Sequence, residues 1–426
     1  MKNGGIERFD RYFAAEEEAF MYSQKIELHG HIIDSHILPR ILDEIIDNNG
    51  DFRVEKFEIG RTKADPSYAL LEVQAHTEEE LTRLLGRLQE LGATIVTDVE
   101  VELAPAPRDG VFPENFYATT NLETFIFVAG RWIRVEDTEM DCGIVYAPET
   151  GRARCVPVNG VRKGELVVLG QKGIKVVPLQ RGRQKEIFRF MESAVSSERP
   201  KGLLLKEIAQ LMRKLKREGK MILVVAGPAI IHTGAGQYLS QIIEAGYIDY
   251  LFAGNALATH DIEGALLGTS LGVSLATGEA VPGGHSHHLR AINLIRRAGG
   301  IREAVEQGLL TRGVMYSCVV NKVDYVLAGS IRDDGPLPDV ITDVLEAQEE
   351  MRRRTQQVDL VLMLGTMLHS IATGNLLPAR VRTVCVDINP AVVTKLVDRG
   401  SLQTIGIVSD VEWFLRELAA QLLAGQ

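Results

Sequence analysis

Cysteine is scarce in this chain and poorly placed for pairing. The 426 residues hold four, at Cys142, Cys155, Cys318 and Cys385, with no CxxC pair among them. That spacing argues against a disulfide framework or a zinc–thiolate site and leads us to expect a reducing, cytoplasmic setting. Long apolar runs are missing too: none approaches the roughly 18 residues that span a bilayer, so no membrane partner is expected. No basic block is longer than Arg352–Arg354, and the formal charge is −10, with 57 acidic and 47 basic residues. Nucleic acid is therefore not an expected partner. The polar, acidic opening "MKNGGIERFDRYFAAEEEAF" does not read as a secretory signal. There is no long internal repeat and no low-complexity tract. What remains is a globular balance, 45% hydrophobic and 24% charged, long enough for two or three domains at roughly 100–200 residues each.

The first hundred residues have a clear rhythm. "KIELHGHI" (25–32) alternates like a strand, and "SHILPRILDEIIDNNG" (35–50) has helical apolar spacing and stops at a glycine. "FRVEKFEIG" (52–60) and "SYALLEVQAH" (67–76) read as strands. "TEEELTRLLGRLQELGA" (77–93) opens with a Thr77–Glu80 capping box, and "TIVTDVEVEL" (94–103) alternates again. The order βαββαβ is the ferredoxin-like split unit. "APAPRDG" (104–110) reads as a linker. Residues 111–180 carry short apolar runs with Gly, Pro and Asn turns, the pattern of a small β-rich domain. Two charged amphipathic helices, near 183–198 and 203–218, follow.

From Lys220 onward strands and helices alternate, the mark of a parallel sheet covered on both faces. Strands are expected at 221–227, 249–254, 324–329, 359–365, 383–388 and 404–409. Five of them run apolar and then reach a Gly or Asp at the carboxyl end, where open α/β sheets bind ligands.

Those ends hold the candidate residues. "VVAGPAIIHTGAG" brings Gly227, Pro228, His232, Thr233 and Gly234 before a helix, small residues that let backbone amides approach a phosphate. A tight structural turn is the competing reading. "MLGTMLHSIATGNLLP" places Gly365, Thr366, Met367 and His369 after a strand, and "VCVDINP" ends a strand in Asp387, followed by Asn389 and Pro390. An acid there is the usual ribose acceptor of dinucleotide folds, unless it only caps the next helix. Asp410 follows the last strand. "AGNALATHDIE" adds Asn255, Ala256, His260 and Asp261. The three strand-end loops in one sheet point together to a bound dinucleotide. "PGGHSHHLRAIN" crowds His285, His287 and His288, but the spacing does not fit a helical HExxH pair. A Gly-rich lid with one histidine facing the active site is expected, and no metal.

"LAGSIRDDGPLPD" (327–339) ends an apolar strand in Arg332, Asp333 and Asp334, in a loop stiffened by Pro336 and Pro338. One fixed cation and two carboxylates suit a zwitterion with a second amine. A surface loop with an Arg–Asp pair and a helix cap is the alternative. Asn115, Thr120, Asn121, Glu139 and Asp141 are unusually polar for a β domain and could line a pocket or be plain loop residues. Cys142, beside them, reads first as a small buried apolar residue; it and Asn121 are kept as catalytic candidates.

The phrases "GHIIDSHILPRILD", "NFYATTN", "MDCGIVYAP", "GGHSHHLRAIN", "GVMYSCVVNKVDYVLAGSIRDDGPLPD" and "LGTMLHSIATGNLLP…VDINP" resemble the archaeal-type ornithine cyclodeaminase family, from about residue 24 onward. The N-terminal region is similar to that shared with the bifunctional lysine-ketoglutarate reductase/saccharopine dehydrogenase. The same unit resembles the C-terminal part of cyanobacterial enzymes that carry an arginine dihydrolase in front; that added activity is not expected here. The C-terminal half is also similar to the NAD-binding fold of deoxyhypusine synthase and, more distantly, sirtuins. The active-site lysine motif of the first and the zinc cysteines of the second are not found, so the likeness implies the NAD fold and not those activities.

The resemblance implies conversion of L-ornithine to L-proline and ammonia with NAD held tightly. Arg332 would then clamp the α-carboxylate, and Asp333 or Asp334 would hold an amine and move protons. A dehydrogenase acting on a related diamino acid, and a non-catalytic NAD- and amino-acid-binding regulator, stay open beside it. The expected architecture is α/β: a ferredoxin-like unit over 1–105, a small β-rich domain over 106–182, linking helices over 183–219 and a doubly wound, parallel-sheet Rossmann-like NAD-binding domain over 220–426. A homo-oligomer is expected.

Overall fold

A computed structural model of the chain describes residues 22–30, 32–33, 37–60, 65–96, 99–177, 201–333, 335–398 and 404–424. The chain divides into two compact units, Met1–Gln184 and Lys185–Gln426. Among the described residues the main sheets have four, seven and seven strands.

The first unit opens with β1 (Tyr22–Gly30), α1 (Ile37–Asp47), β2 (Asp51–Glu58), β3 (Ser67–Ala75), α2 (Glu78–Glu90) and β4 (Thr94–Ile95). Sheet order β2-β3-β1-β4 is antiparallel throughout, the ferredoxin-like arrangement. Alternation explains it. Along β3 every second residue is buried, and that face meets Ile41 and Ile45 of α1 and Leu84 and Leu88 of α2 in one core. The Thr77 hydroxyl accepts from Glu80 N at 3.2 Å, and the Glu80 carboxylate accepts from Thr77 N at 3.1 Å, completing the expected capping box.

The expected strand over 94–103 is two pieces. β4 ends at Ile95, and β5 (Glu102–Pro105) pairs with a different sheet, so part of the expected linker is strand. That sheet also contains β6 (Glu123–Val128), β7 (Arg131–Glu136), β8 (Gly143–Ala147), β9 (Arg152–Val156), β10 (Leu166–Leu169) and β11 (Ile174–Val177), in the order β11-β6-β7-β9-β8-β10-β5. Hydrogen-bond pairing decided what alternation could not: Leu103 faces Val168 in the β5–β10 ladder. No long helix occurs there among the described residues.

The second unit starts its described part with α3 (Lys201–Arg217); the other expected bridging helix, near 183–198, lies outside the described residues. Leu205, Ile208, Met212 and Leu215 of α3 sit in the unit's main core, so α3 is built into this unit. There follow β12 (Met221–Ala226), α4 (Ala229–His232), α5 (Gly236–Glu244), β13 (Tyr250–Gly254) and α6 (Asn255–Leu267). A hairpin of β14 (Thr269–Ser270) and β15 (Val273–Ser274) leads to α7 (His287–Ala298), α8 (Ile301–Glu306), α9 (Val314–Val320) and β16 (Asp324–Ala328). The chain ends with β17 (Val340–Ile341), α10 (Val344–Thr355), β18 (Val358–Leu364), α11 (Leu368–Leu376), β19 (Arg382–Asp387), α12 (Pro390–Asp398), β20 (Thr404–Val408) and α13 (Val411–Leu423).

Its sheet is parallel in every pairing and runs β17-β16-β13-β12-β18-β19-β20. β12 and β18 are buried almost end to end because helices cover both faces. The short edge strand β17 escaped the sequence reading because two residues carry no period. Strand order reverses between β12 and β18. Connections leave β12 in one direction and β18 in the other, opening a crevice at their carboxyl ends.

Candidate active site

Two glycines form the floor of that crevice. A Cβ on Gly227, after β12, would lie 2.0 Å from the Gly365 carbonyl oxygen, and Gly365, after β18, has φ +60°. Only glycine suits both places, so the two strand-end turns pack backbone against backbone. Gly227 N donates to Leu364 O at 2.9 Å and Gly365 N to Val386 O at 3.0 Å, fixing both turns to the sheet. Gly254, after β13, has the His369 ring over it: a Cβ there would be 2.8 Å from His369 Cε1. Burial lowers the His369 pKa, against the opposing charge of Asp333.

The loop after β16 joins the same edge. Asn255 at the start of α6 donates to Asp333 Oδ1 at 3.3 Å, while its own oxygen accepts from Thr259 Oγ1 at 3.2 Å and Leu337 N at 3.1 Å. The other Asp333 oxygen accepts from Ser330 N at 2.8 Å. Asp333 is thus half-buried and aimed, whereas Arg332 is exposed and its guanidinium has no ion pair among the described residues. Asp334 lies outside the described residues.

Beyond Asn255, α6 carries a buried histidine–carboxylate pair that reaches α4 and the β14–β15 hairpin. The His232 and His260 rings stand with centroids 4.9 Å apart. His232 Nδ1 is 2.7 Å from Ser270 Oγ, and His260 Nδ1 is 3.1 Å from Glu263 Oε2. Glu263 is fully buried and also accepts from Thr269 Oγ1 at 2.8 Å, Gly272 N at 2.9 Å and Leu271 N at 3.2 Å. Burial would raise its pKa, but the bonds from His260, Gly272, Thr269 and Leu271 outweigh it and hold the carboxyl below its ordinary range. The Thr269 hydroxyl continues to His287 Nδ1 at 2.8 Å, so one of the three clustered histidines does join the network. Burial, then the neighbouring His260, lowers the His232 pKa. This arrangement favours a neutral imidazole at pH 7, able to take a proton.

Not every candidate gathers here. Asp261 follows His260 in sequence but projects about 100° around the helix, and both its oxygens accept from the first amides of α9, Val314 N and Met315 N, at 2.8 Å each. Burial pushes its carboxyl up to about 6 despite those bonds. Asp261 therefore holds α9 and does not face the crevice with His260. Asp410 caps α13, accepting from Glu412 N and Trp413 N. Asp387 accepts from Asn389 N at 2.8 Å at the end of β19, and Asn389 Oδ1 accepts from Ala391 N, with Pro390 opening α12. Pro228 opens α4, whose last turn includes the Thr233 hydroxyl bond to Ala229 O; exposed Gly234 follows at φ +80°. Ala256 is exposed on α6, and Thr366 and Met367 lead into α11. In the first unit Asn121 is buried, and Cys142 lies in a buried polar cluster with Glu139 and Thr119. The Cys142 thiol donates to Glu139 Oε1 at 3.2 Å, and the Thr119 hydroxyl donates to Glu139 O at 2.7 Å. Glu263, Thr259, Ser270 and Thr269 were not singled out from sequence: Leu257–Glu263 of α6 are buried without a period that marks a polar face, and the two residues of β14 carry no pattern.

Comparison with known proteins gives this geometry a family. The model described as "LOR/SDH bifunctional enzyme conserved region" matches 23–122. Those for the C-terminal part of ArgZ-like arginine dihydrolases match 123–205 (first region) and 206–418 (Rossmann fold). An ornithine cyclodeaminase of Methanothermobacter thermautotrophicus is 57% identical over 93% of this chain and 96% of its own length. The chain belongs to the ornithine cyclodeaminase family. Apo ArgZ, a cyanobacterial arginine dihydrolase, superposes with TM-score 0.82 at 40% identity, over 95% of this chain and 58% of that one. AgrE, solved with ornithine and NAD⁺, matches at TM-score 0.52 and 43% identity, over 94% of this chain and 57% of its own. This ornithine cyclodeaminase homologue thus spans little more than half of either cyanobacterial protein. Among its described residues, no helix is long and apolar enough to cross a membrane.

Proposed function

We propose that this chain converts L-ornithine to L-proline and ammonia with tightly held NAD. The observation that carries the reading is the near full-length identity, 57%, to a protein named ornithine cyclodeaminase. The crevice at the strand reversal supports it, and so does the relative solved with ornithine and NAD⁺. The residues present fit a dinucleotide: Gly227 and Gly365 let the turns after β12 and β18 pack backbone to backbone at the strand reversal, each leading into a helix, the placement that open α/β sheets use for a pyrophosphate. Gly227, Pro228, Gly365 and Thr366 would hold the phosphates, and Asp387 a ribose hydroxyl. When bound, the cofactor supplies a place for the hydride that leaves Cα and later returns to it.

The chain's own residues supply the rest. Ornithine must lose an α-amine proton, close its δ-amine onto the oxidised Cα and release the α-nitrogen as ammonia. Proline and ammonia together hold every atom of ornithine, so no external reductant is needed. Glu263 holds the His260 ring through Nδ1 with that ring beside neutral His232, and this histidine pair takes and returns the proton. Asp333, held by Asn255 and Ser330, binds an amine, and Arg332 takes the carboxylate. Such orientation of a flexible diamine favours ring closure over escape to water.

The test supplies L-ornithine to protein purified without added cofactor. Proline and ammonia in equal amounts, with no lasting absorbance from reduced nicotinamide, are expected. Steady accumulation of reduced nicotinamide would instead indicate a plain dehydrogenase, and no product would indicate a regulator.

A further inference from the structure

We propose a second ligand site, for a small zwitterionic amino acid, between α5, α6 and α9. It goes beyond the reading above and does not depend on it. A cavity of about 480 Å³ opens there, lined by Ser240, Gln241, Glu244, Arg312 and Tyr316, within the range of about 300–1,000 Å³ common for small-molecule sites. Ser240 is only 8% exposed, and its buried hydroxyl has no hydrogen-bond partner among the described residues. A buried hydroxyl left unsatisfied costs free energy unless something in the cavity completes it.

The charged groups indicate what completes it. Glu244 lies one turn beyond Ser240 on α5, and among the described residues its carboxylate takes one donor, Ser317 Oγ at 2.9 Å. Arg312 donates through Nε to Ala265 O at 3.0 Å and through Nη2 to Gly264 O at 3.4 Å, which fixes the guanidinium plane and leaves Nη1 unpaired among the described residues. The cavity holds two carboxylates and one guanidinium; both Asp261 oxygens are taken by amides of α9, so Glu244 and Arg312 are the pair that matches an ammonium and a carboxylate on one small molecule. The carboxylate repels a phosphate or other polyanion.

The shared wall gives the site a purpose. Asn255, His260 and Glu263 carry the candidate active site on α6, while Asp261 and Gly264 of that helix line the cavity and Asp261 holds α9. A ligand that braces α5 against α9 therefore acts on the helix that positions the histidine–carboxylate pair. The site is regulatory.

The test measures binding of L-glutamine, L-lysine and L-proline to the full chain by titration calorimetry, with Asp333→Asn, Glu244→Gln and Ser240→Ala alongside. At least one probe is expected to bind wild type and Asp333→Asn alike, and to bind Glu244→Gln about tenfold more weakly. Ser240→Ala should weaken it as well. Glu244→Gln should leave ornithine turnover unchanged when no probe is present, which also shows that it folds. The proposal is overturned if no probe binds at millimolar concentration, or if binding is lost in Asp333→Asn and kept in the other two. It is equally overturned if Glu244→Gln changes only the oligomeric state in sedimentation.

Discussion

The four-stranded sheet of the first unit and the parallel sheet of the second use strands for opposite purposes. β3 alternates buried and half-buried residues, and on edge strand β2 even Val54 and Phe57, opposite buried Leu71 and Ala69, are exposed. β12 and β18 have no solvent side, so their side chains are committed to packing and polar chemistry is displaced to their ends. There, Gly227, Gly365, Asn255 and Asp333 meet within one crevice. Where both faces of a sheet are covered, ligand chemistry concentrates at strand termini; where one face is open, polar residues spread along the strand.

The sharpest way to break the contrast is Gly227→Val. Its Cβ would sit 2.0 Å from Gly365 O, so the crevice must deform, and at least about 100-fold lower kcat/KM is expected with loss of NAD binding. Unchanged NAD binding by fluorescence titration would remove the glycine cradle from the account. Glu263→Gln comes next, because it keeps the shape but removes the charge behind His260. A fall in kcat of about 10²–10⁴-fold with KM little changed is expected. Its pH profile adds a signed check. The His232 pKa already lies below 6.5, so the rate rises with pH through that lowered value, and Glu263 is the charge that holds it up. In Glu263→Gln the acidic limb should therefore move to lower pH; a shift to higher pH would contradict the network.

In the first unit the effects should be on stability. Leu71→Ala empties part of the core under α1 and α2 and should cost about 2–5 kcal/mol in denaturant unfolding of that unit. Thr77→Ala, which removes only the cap of α2, should cost about 1 kcal/mol.

These differences also explain what the sequence could show. Strands buried on both faces appear as plain apolar runs, and all six expected in the second unit are there within a residue or so of their bounds. Residues 94–103 alternate without a break, yet β4 and β5 pair in different sheets, because register is decided by partners distant in the chain. The strand-end glycines were visible as small residues after apolar runs. Glu263 was not, since Leu257–Glu263 of α6 are buried on every side and that stretch has no period to set its polar residues apart. Asp261 misled for the reverse reason: adjacency in sequence is divergence on a helix, and its carboxylate went to α9.

The most direct measurement follows L-ornithine carrying deuterium at Cα through a single turnover. If the hydride leaves Cα and returns from a cofactor that never departs, the deuterium appears at Cα of proline and ammonia is released in equal amount. Loss of the label to water, or its recovery in free reduced nicotinamide, would contradict a closed site at the β12–β18 reversal.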